Sequence, residues 1–123
     1  MSDEWFGLVI PRDIDRNKPG LYEWTIQGVG SYIGTFTHIS RPLHEYTRNV
    51  ERLLAELPYR PRKPNGFRDI HRALAEARRN ESRITLTILG NVDPELINER
   101  ELMLIDDRGT LNRTGRHKAR KST

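Results

Sequence analysis

The sequence of 123 residues contains no cysteine and is poor in hydrophobic residues. The absence of cysteine excludes disulfide bonds and thiolate zinc sites, so disulfide-rich folds and zinc fingers are ruled out. Hydrophobic residues make up 35% of the chain and charged residues 31%, which is polar for a globular protein. A chain of this length forms one compact domain with one thin core, so we expect a single functional site.

The sequence also lacks a long apolar run. No segment approaches the roughly 20 apolar residues that a membrane-spanning helix needs. The first residues include Asp3 and Glu4, where a signal peptide would carry positive charge. We therefore expect an intracellular, cytoplasmic protein without a membrane partner.

Positive charge is concentrated in two acid-free segments, although the net charge is only +4. One is the stretch of residues 57–68, and the other begins the C-terminal tail, residues 113–123, which we expect to be disordered. Such segments are candidate contacts for the phosphates of DNA, and solvated segments without a partner are an equally good interpretation. The predicted nucleic-acid contacts are Arg48, Arg60, Arg62, Lys63, Arg68, Arg113, Arg116 and Lys118.

Alternating apolar and polar residues predict a β-hairpin near the start of the chain. Its strands cover residues 20–27 and 31–36, and the glycine-containing turn between them occupies residues 28–30. Helical periodicity follows, with Ser40 as the predicted N-cap and Pro42 in the first turn. The sequence thus predicts two neighbouring strands followed by an amphipathic helix.

The remaining patterns predict a helix ending near residue 80, a strand at residues 83–89 and a last helix over residues 93–107. The predicted fold class is α/β (α+β), with a small three-stranded sheet and flanking helices in the order β-β-α-α-β-α. We expect an N-terminal extension at residues 1–18, in which an apolar patch adds an edge strand or covers the core. The catalytic domain is predicted to span residues 19–112.

Glu101 lies on the apolar side of the last predicted helix. At 100° per residue it falls between Ile97 and Ile105, about 40° from each, and Leu96 and Leu104 are also expected to face the core. An unpartnered buried carboxylate costs several kcal/mol, so Glu101 should be ion-paired, exposed at the edge of the apolar side, or bound to a metal ion. Helix phase alone favours the first two.

Two short motifs begin the predicted strands, Gly20-Leu21-Tyr22 and Tyr32-Ile33-Gly34, with nine residues between them. Either tyrosine alone would be ordinary sheet packing. Together with the order of elements from residue 19 to 112, the motifs resemble the signature of the GIY-YIG endonucleases. The resemblance implies a GIY-YIG nuclease-like fold and a metal-dependent endonuclease that hydrolyses phosphodiester bonds in DNA.

The resemblance also implies roles for individual residues. Tyr22 would be the general base that activates water, its pKa lowered by a nearby metal ion or cations, and Tyr32 would orient the water or the phosphate. Arg41 would stabilise the phosphate charge. Glu101 would hold one Mg²⁺ or Mn²⁺ ion, which suits a single carboxylate because such ions keep most of their waters.

Further positions follow from the same resemblance. Asn112 would support the site or contact phosphate, and Gly20 and Gly34 would be structural glycines of the two motifs. His44 is either a basic residue near the catalytic arginine or a surface histidine. Arg41 stands one residue before the position usual for the family's arginine. That departure leaves an alternative open, a nucleic-acid-binding or structural module of GIY-YIG fold with impaired catalysis.

Overall fold

The computed structural model describes residues 5–112. These residues form a mixed sheet and three helices. In chain order the elements are β1 (Gly7–Val9), β2 (Gly20–Ile26), β3 (Gly30–Phe36), α1 (Ser40–Leu54), α2 (Asp69–Arg79), β4 (Ile84–Asn91) and α3 (Pro94–Arg108). The α+β class is confirmed, and the predicted order of elements is observed from β2 onward. The basic tail, residues 113–123, lies outside the described residues.

The sheet has the strand order β1-β4-β2-β3. β2 runs antiparallel to both of its neighbours, while β1 pairs with β4 in parallel. Within the hairpin, Tyr22 is opposite Gly34 and Trp24 is opposite Tyr32. Because residues opposite each other in a sheet project to the same side, the two predicted motifs share one sheet face.

The prediction of a three-stranded sheet is wrong, because the sheet has four strands. The additional strand, β1, comes from the predicted N-terminal extension. Next to it, Trp5 stacks on Trp24 with ring centroids 5.4 Å apart, and Phe6 packs edge-on against Trp24 at 5.0 Å. The sequence left open whether the apolar patch adds an edge strand or covers the core, because a strand of three residues is too short for a recognisable alternation. The extension is therefore part of the domain's sheet and core.

Two layers of helix cover the sheet. Helices α1 and α2 contact each other, and their apolar residues, including Val50 and Leu74, form one core with Trp24 and Leu86. Helix α3 contacts β2 and β3. Leu96 at the start of α3 is 40% exposed, so its predicted place in the core is wrong. No helix within residues 5–112 is long and apolar enough to cross a membrane.

Candidate active site

A cleft of about 350 Å³ lies beside the edge strand β3. Four of the five predicted catalytic residues line it: Tyr22 from β2, Tyr32 from β3, Arg41 from α1 and Glu101 from α3. Each comes from a different element, and the first and last are 79 positions apart in the sequence. The fold therefore brings together in one cleft residues that only their types and spacing had connected.

Gly34 is required where it stands because the ring of Tyr22 lies across it. A Cβ atom at Gly34 would overlap both the ring and the hydroxyl of Tyr22 on the neighbouring strand. Gly20 is restricted in a similar way, by the carbonyl of Gly90 and the ring of Phe36. The two motif glycines thus permit close packing of the hairpin.

Hydrogen bonds connect three tyrosine hydroxyls and one arginine in the cleft. The hydroxyls of Tyr22 and Tyr46 are 2.6 Å apart. Arg68 donates one N–H to the Tyr46 oxygen and another to the Tyr32 oxygen, each at 3.1 Å. Tyr46 was not among the predicted site residues. The available signal was its hydroxyl, because a buried phenol usually has a hydrogen-bond partner.

Burial raises the pKa of Tyr22 well above its usual range, and this outweighs the opposing effect of the hydrogen bond from Tyr46. Burial also raises the pKa of Tyr46. Both side chains are therefore neutral phenols at neutral pH. We had expected cations to lower the pKa of Tyr22; Arg68 does act in that direction, but the cost of desolvating a phenolate is larger.

Three arginines near the cleft have different environments. The side chain of Arg41 is 64% exposed and forms an ion pair with Glu45 at 3.4 Å. Arg48 donates to the carbonyl of Tyr59 at 3.0 Å and to the side chain of Asn49 at 2.6 Å, so it holds neighbouring structure in place. Of the arginines within residues 5–112, only Arg68 donates hydrogen bonds to the cleft phenols.

The start of α2 holds the backbone of Arg68. Its N–H donates to Nδ1 of His71 at 3.0 Å, and Nε2 of the same ring lies 3.3 Å from Asn49 Nδ2. Burial, together with the positive charges of Arg68 and Arg72, lowers the pKa of His71 to about 4. His71 is therefore neutral at neutral pH, which leaves Nδ1 free to accept. His44, in contrast, is exposed and does not line the cleft.

Glu101 occupies the position that helix phase predicted, between Ile97 and Ile105. It is half-buried, and its carboxylate forms no ion pair within residues 5–112. Burial raises the pKa of this carboxyl group. An acid that is costly to ionise, has no cationic partner and faces a cleft is suited to a positively charged ligand.

The donor set restricts the kind of metal ion that would fit. Among residues 5–112, no three His, Asp or Glu side chains are grouped closely enough to enclose an ion. Glu101 is the acidic group that reaches the cleft beside the phenols, while Glu45 is paired with Arg41. One carboxylate suits Mg²⁺ or Mn²⁺, which can keep several waters and take phosphate oxygens as further ligands. It does not suit zinc, which usually has three or four protein ligands.

Asn112 supports β3 without lining the cleft. Its amide accepts from the N–H of Ile33 at 2.8 Å and donates to the carbonyl of Ile33 at 2.9 Å. Ile33 lies between Tyr32 and Gly34, so this buried amide holds the edge of the strand that carries them. Its amide has a second N–H, but Asn112 is buried and does not line the cleft, so its observed role is to support the strand.

The basic segment at residues 57–68, hereafter the basic loop, has defined internal structure. The N–H of Tyr59 donates to the carbonyl of Pro64 at 3.1 Å, and the ring of Tyr59 packs edge-on against Phe67 at 5.3 Å. All four cationic residues of the loop are exposed: Arg60, Arg62, Lys63 and Arg68. The predicted contacts Arg113, Arg116 and Lys118 fall outside the described residues.

No family model, curated protein or solved structure matches the chain. The GIY-YIG resemblance therefore remains a prediction from two short motifs and the order of elements. Function has to be inferred from the side chains in the cleft, since a fold class alone does not define an activity.

Proposed function

We propose that this protein is a metal-dependent endonuclease that hydrolyses phosphodiester bonds of DNA in the cleft beside β3. One observation carries the proposal. Tyr22, Tyr32 and Glu101, selected from the sequence for this chemistry, line the same cleft together with arginine side chains. Phenols, a guanidinium and an unpaired carboxylate provide hydrogen bonds, positive charge and a metal ligand for a phosphodiester.

Glu101 would hold one Mg²⁺ or Mn²⁺ ion, which supplies positive charge to the phosphate and the attacking water. Tyr22, a neutral phenol, orients the water through its hydroxyl; accepting a proton would require a cation close enough to lower its pKa. Tyr32 holds a phosphate oxygen. An arginine neutralises charge that develops on the phosphate.

The basic loop would contact the DNA backbone beside the cleft. Its exposed cations can pair with phosphates, which gives an affinity that falls with salt and carries little sequence information. Because cations that contact only phosphates cannot distinguish bases, we expect cleavage with low sequence preference.

A plasmid cleavage assay tests the proposal. We expect the protein to nick or linearise supercoiled plasmid with Mg²⁺ or Mn²⁺ and to be inactive with a chelator. Glu101→Ala and Tyr22→Phe should both lose cleavage. Glu99→Ala is the matched control, since Glu99 is exposed on the same helix and does not line the cleft.

A non-cleaving nucleic-acid-binding module is the second candidate function. It is favoured by the ion pair that holds Arg41 on Glu45, away from a role on phosphate. DNA binding without cleavage by the folded wild-type protein, with either ion, would support this function and contradict the nuclease.

A further inference from the structure

Two arginines line the cleft, and they are held in different ways. The guanidinium of Arg68 makes hydrogen bonds to the hydroxyls of Tyr32 and Tyr46 and lies 6.0 and 5.6 Å from the centres of their rings. Arg41 makes an ion pair with Glu45 and is largely exposed. Arg68 is thus fixed against the phenols, while Arg41 is a solvated side chain.

The two arginines differ in whether their partners compensate their charge. The phenols of Tyr32 and Tyr46 are hydrogen-bond acceptors without charge, so they hold Arg68 without neutralising it. Glu45 compensates the charge of Arg41. A guanidinium has more N–H donors than the two that the phenols engage, so Arg68 retains donors for the oxygens of an anion.

The position of Arg68 is fixed at both ends. Its backbone N–H is bound to His71, a side chain only 2% exposed, and its guanidinium is bound to the two phenols. A charge held in place before substrate binds loses little conformational freedom on binding and is effective in stabilising a transition state. The ion pair with Glu45 constrains Arg41 through one contact near the surface, whereas Arg68, although exposed as well, is held by two hydrogen bonds to the phenols.

We propose that Arg68, at the start of α2, binds the non-bridging oxygens of the scissile phosphate, and that Arg41 is peripheral to the chemistry. This assignment rests on the proposed nuclease function. In the hydrolysis, the attacking water loses a proton to the solvent as its oxygen forms a bond to phosphorus, the bond from phosphorus to the leaving sugar oxygen breaks, and that oxygen takes up a proton from the solvent. Arg68 compensates charge and transfers no proton.

The protonation state of Arg68 agrees with this role. Burial alone lowers its pKa, but the neighbouring Tyr46 and Tyr32 raise it by more, so the pKa lies above its usual high value. The guanidinium remains a cation at every pH at which the protein is folded, and it is suited to charge stabilisation rather than to acid–base catalysis.

A matched pair of variants tests the assignment, Arg68→Lys against Arg41→Lys. Lysine keeps the charge but cannot present the planar fork of donors. In single-turnover cleavage of a short duplex, we expect Arg68→Lys to lower the rate constant on the order of 10²- to 10³-fold, as for loss of a preorganised donor. Arg41→Lys should change it by no more than a few-fold. A larger loss in Arg41→Lys, or none in Arg68→Lys, overturns the assignment.

Tyr46→Phe provides a second test that does not alter Arg68 itself. Loss of this hydroxyl removes one of the two phenol contacts of the guanidinium, so we expect kcat to fall and KM to change little. Circular dichroism and thermal unfolding of each variant verify the fold. If Tyr46→Phe lowers kcat and raises KM by the same factor, the variant has a general loss of binding, which would contradict a positioning role.

A phosphate titration separates failure of this assignment from failure of the nuclease proposal. Arginine side-chain N–H resonances of the full chain are followed by NMR as inorganic phosphate is added without metal. We expect the Arg68 resonance to shift and the Arg41 resonance to remain. If the wild-type protein does not cleave but Arg68 shifts, the nuclease proposal fails and Arg68 stands as an anion ligand. If Arg68 does not shift, the assignment is wrong whether or not the protein cleaves.

Discussion

The starts of helices α1 and α2 both bring an arginine to the cleft, yet they hold it by different means. At α1 the N-cap is Ile39 rather than the predicted Ser40, and it makes no side-chain capping bond. Arg41 in this first turn points to Glu45 one turn later. At α2, Arg68 is itself the N-cap, and its backbone is bound by His71.

The contacts that hold a side chain are a better guide to a catalytic residue than its distance along the sequence from a motif. Arg41 is close to the predicted position, but an exposed ion pair constrains a side chain little. Arg68 lies 36 positions from Tyr32, yet its hydrogen bonds to Tyr32 and Tyr46 place its charge beside those phenols.

A catalytic role for either arginine in metal-dependent cleavage requires that Glu101 in the same cleft binds a metal ion. Glu101→Gln keeps the size of the side chain and removes the negative charge. We expect Mn²⁺ affinity to fall by at least the roughly 10- to 100-fold that loss of an outer-shell partner of a metal ligand causes. Paramagnetic broadening of the Tyr22 and Tyr32 resonances measures this. Equal broadening in Glu101→Gln and in the wild type would contradict the assignment, and Glu99→Gln is the control.

The hold of His71 on the start of α2 can be tested by pH. The pKa of His71 is about 4 in the folded protein against 6.5 ordinarily, because of burial and the charges of Arg68 and Arg72. Between these values the unfolded chain binds the proton more readily. His71 therefore contributes stability that is complete above pH 6.5 and declines as pH falls to 4, by about 3 kcal/mol in total.

Urea unfolding at several pH values measures this contribution. His71→Asn keeps a side-chain acceptor but does not titrate, so its stability should fall less steeply over the same pH range. Parallel profiles for the variant and the wild type would show that His71 is not the titrating group that stabilises the start of α2.

The ring of Tyr22 packs closely against Gly34 on the strand side of the cleft, and a substitution at Gly34 tests this packing. Gly34→Ala forces the ring of Tyr22 away from β3, since a Cβ would overlap it. We expect a loss of about 1–3 kcal/mol in the free energy of unfolding, as for overpacking. Gly7→Ala is the control, because the nearest atom to its Cβ is 4.0 Å away. Equal effects of the two would contradict the packing.

The smallest effect is expected from cations outside the cleft. Replacing Arg60, Arg62 and Lys63 by serine should leave single-turnover cleavage at saturating protein nearly unchanged and weaken duplex binding. The dependence of log affinity on log salt should become shallower by about 0.9 per lost phosphate contact. Fluorescence anisotropy with Glu101→Gln as background measures the slope, and Arg79→Ser at the end of α2 is the control. An unchanged slope would remove the basic loop from the DNA interface.

Local sequence patterns predicted much of the fold. The alternation around Tyr22, Trp24 and Ile26 identified β2 because one face of that strand is buried. Helix phase placed Glu101 correctly because a helix repeats at a fixed angle. β1 could not be predicted in this way, since three exposed residues paired in parallel through the backbone leave no pattern.

The features of the site that the sequence did not predict depend on contacts between distant positions. Arg68 and Tyr46 are 22 residues apart, and Asn112 is 79 residues from the strand it supports. Nothing in the local sequence of the basic loop distinguishes Arg68 from Arg60 or Arg62. The pKa of Tyr22 likewise depends on how completely the folded core surrounds it, which only the packed structure determines.

We propose that Glu101 and Arg68 act on the same phosphate. A double-mutant cycle in single-turnover cleavage tests whether they do. The cycle compares Glu101→Gln, Arg68→Lys and the double variant with the wild type. Residues that act as one unit are strongly non-additive, so we predict that the double variant is within a few-fold of the slower single variant. If the two losses instead multiply, the residues act independently and the account of a single catalytic cleft is wrong.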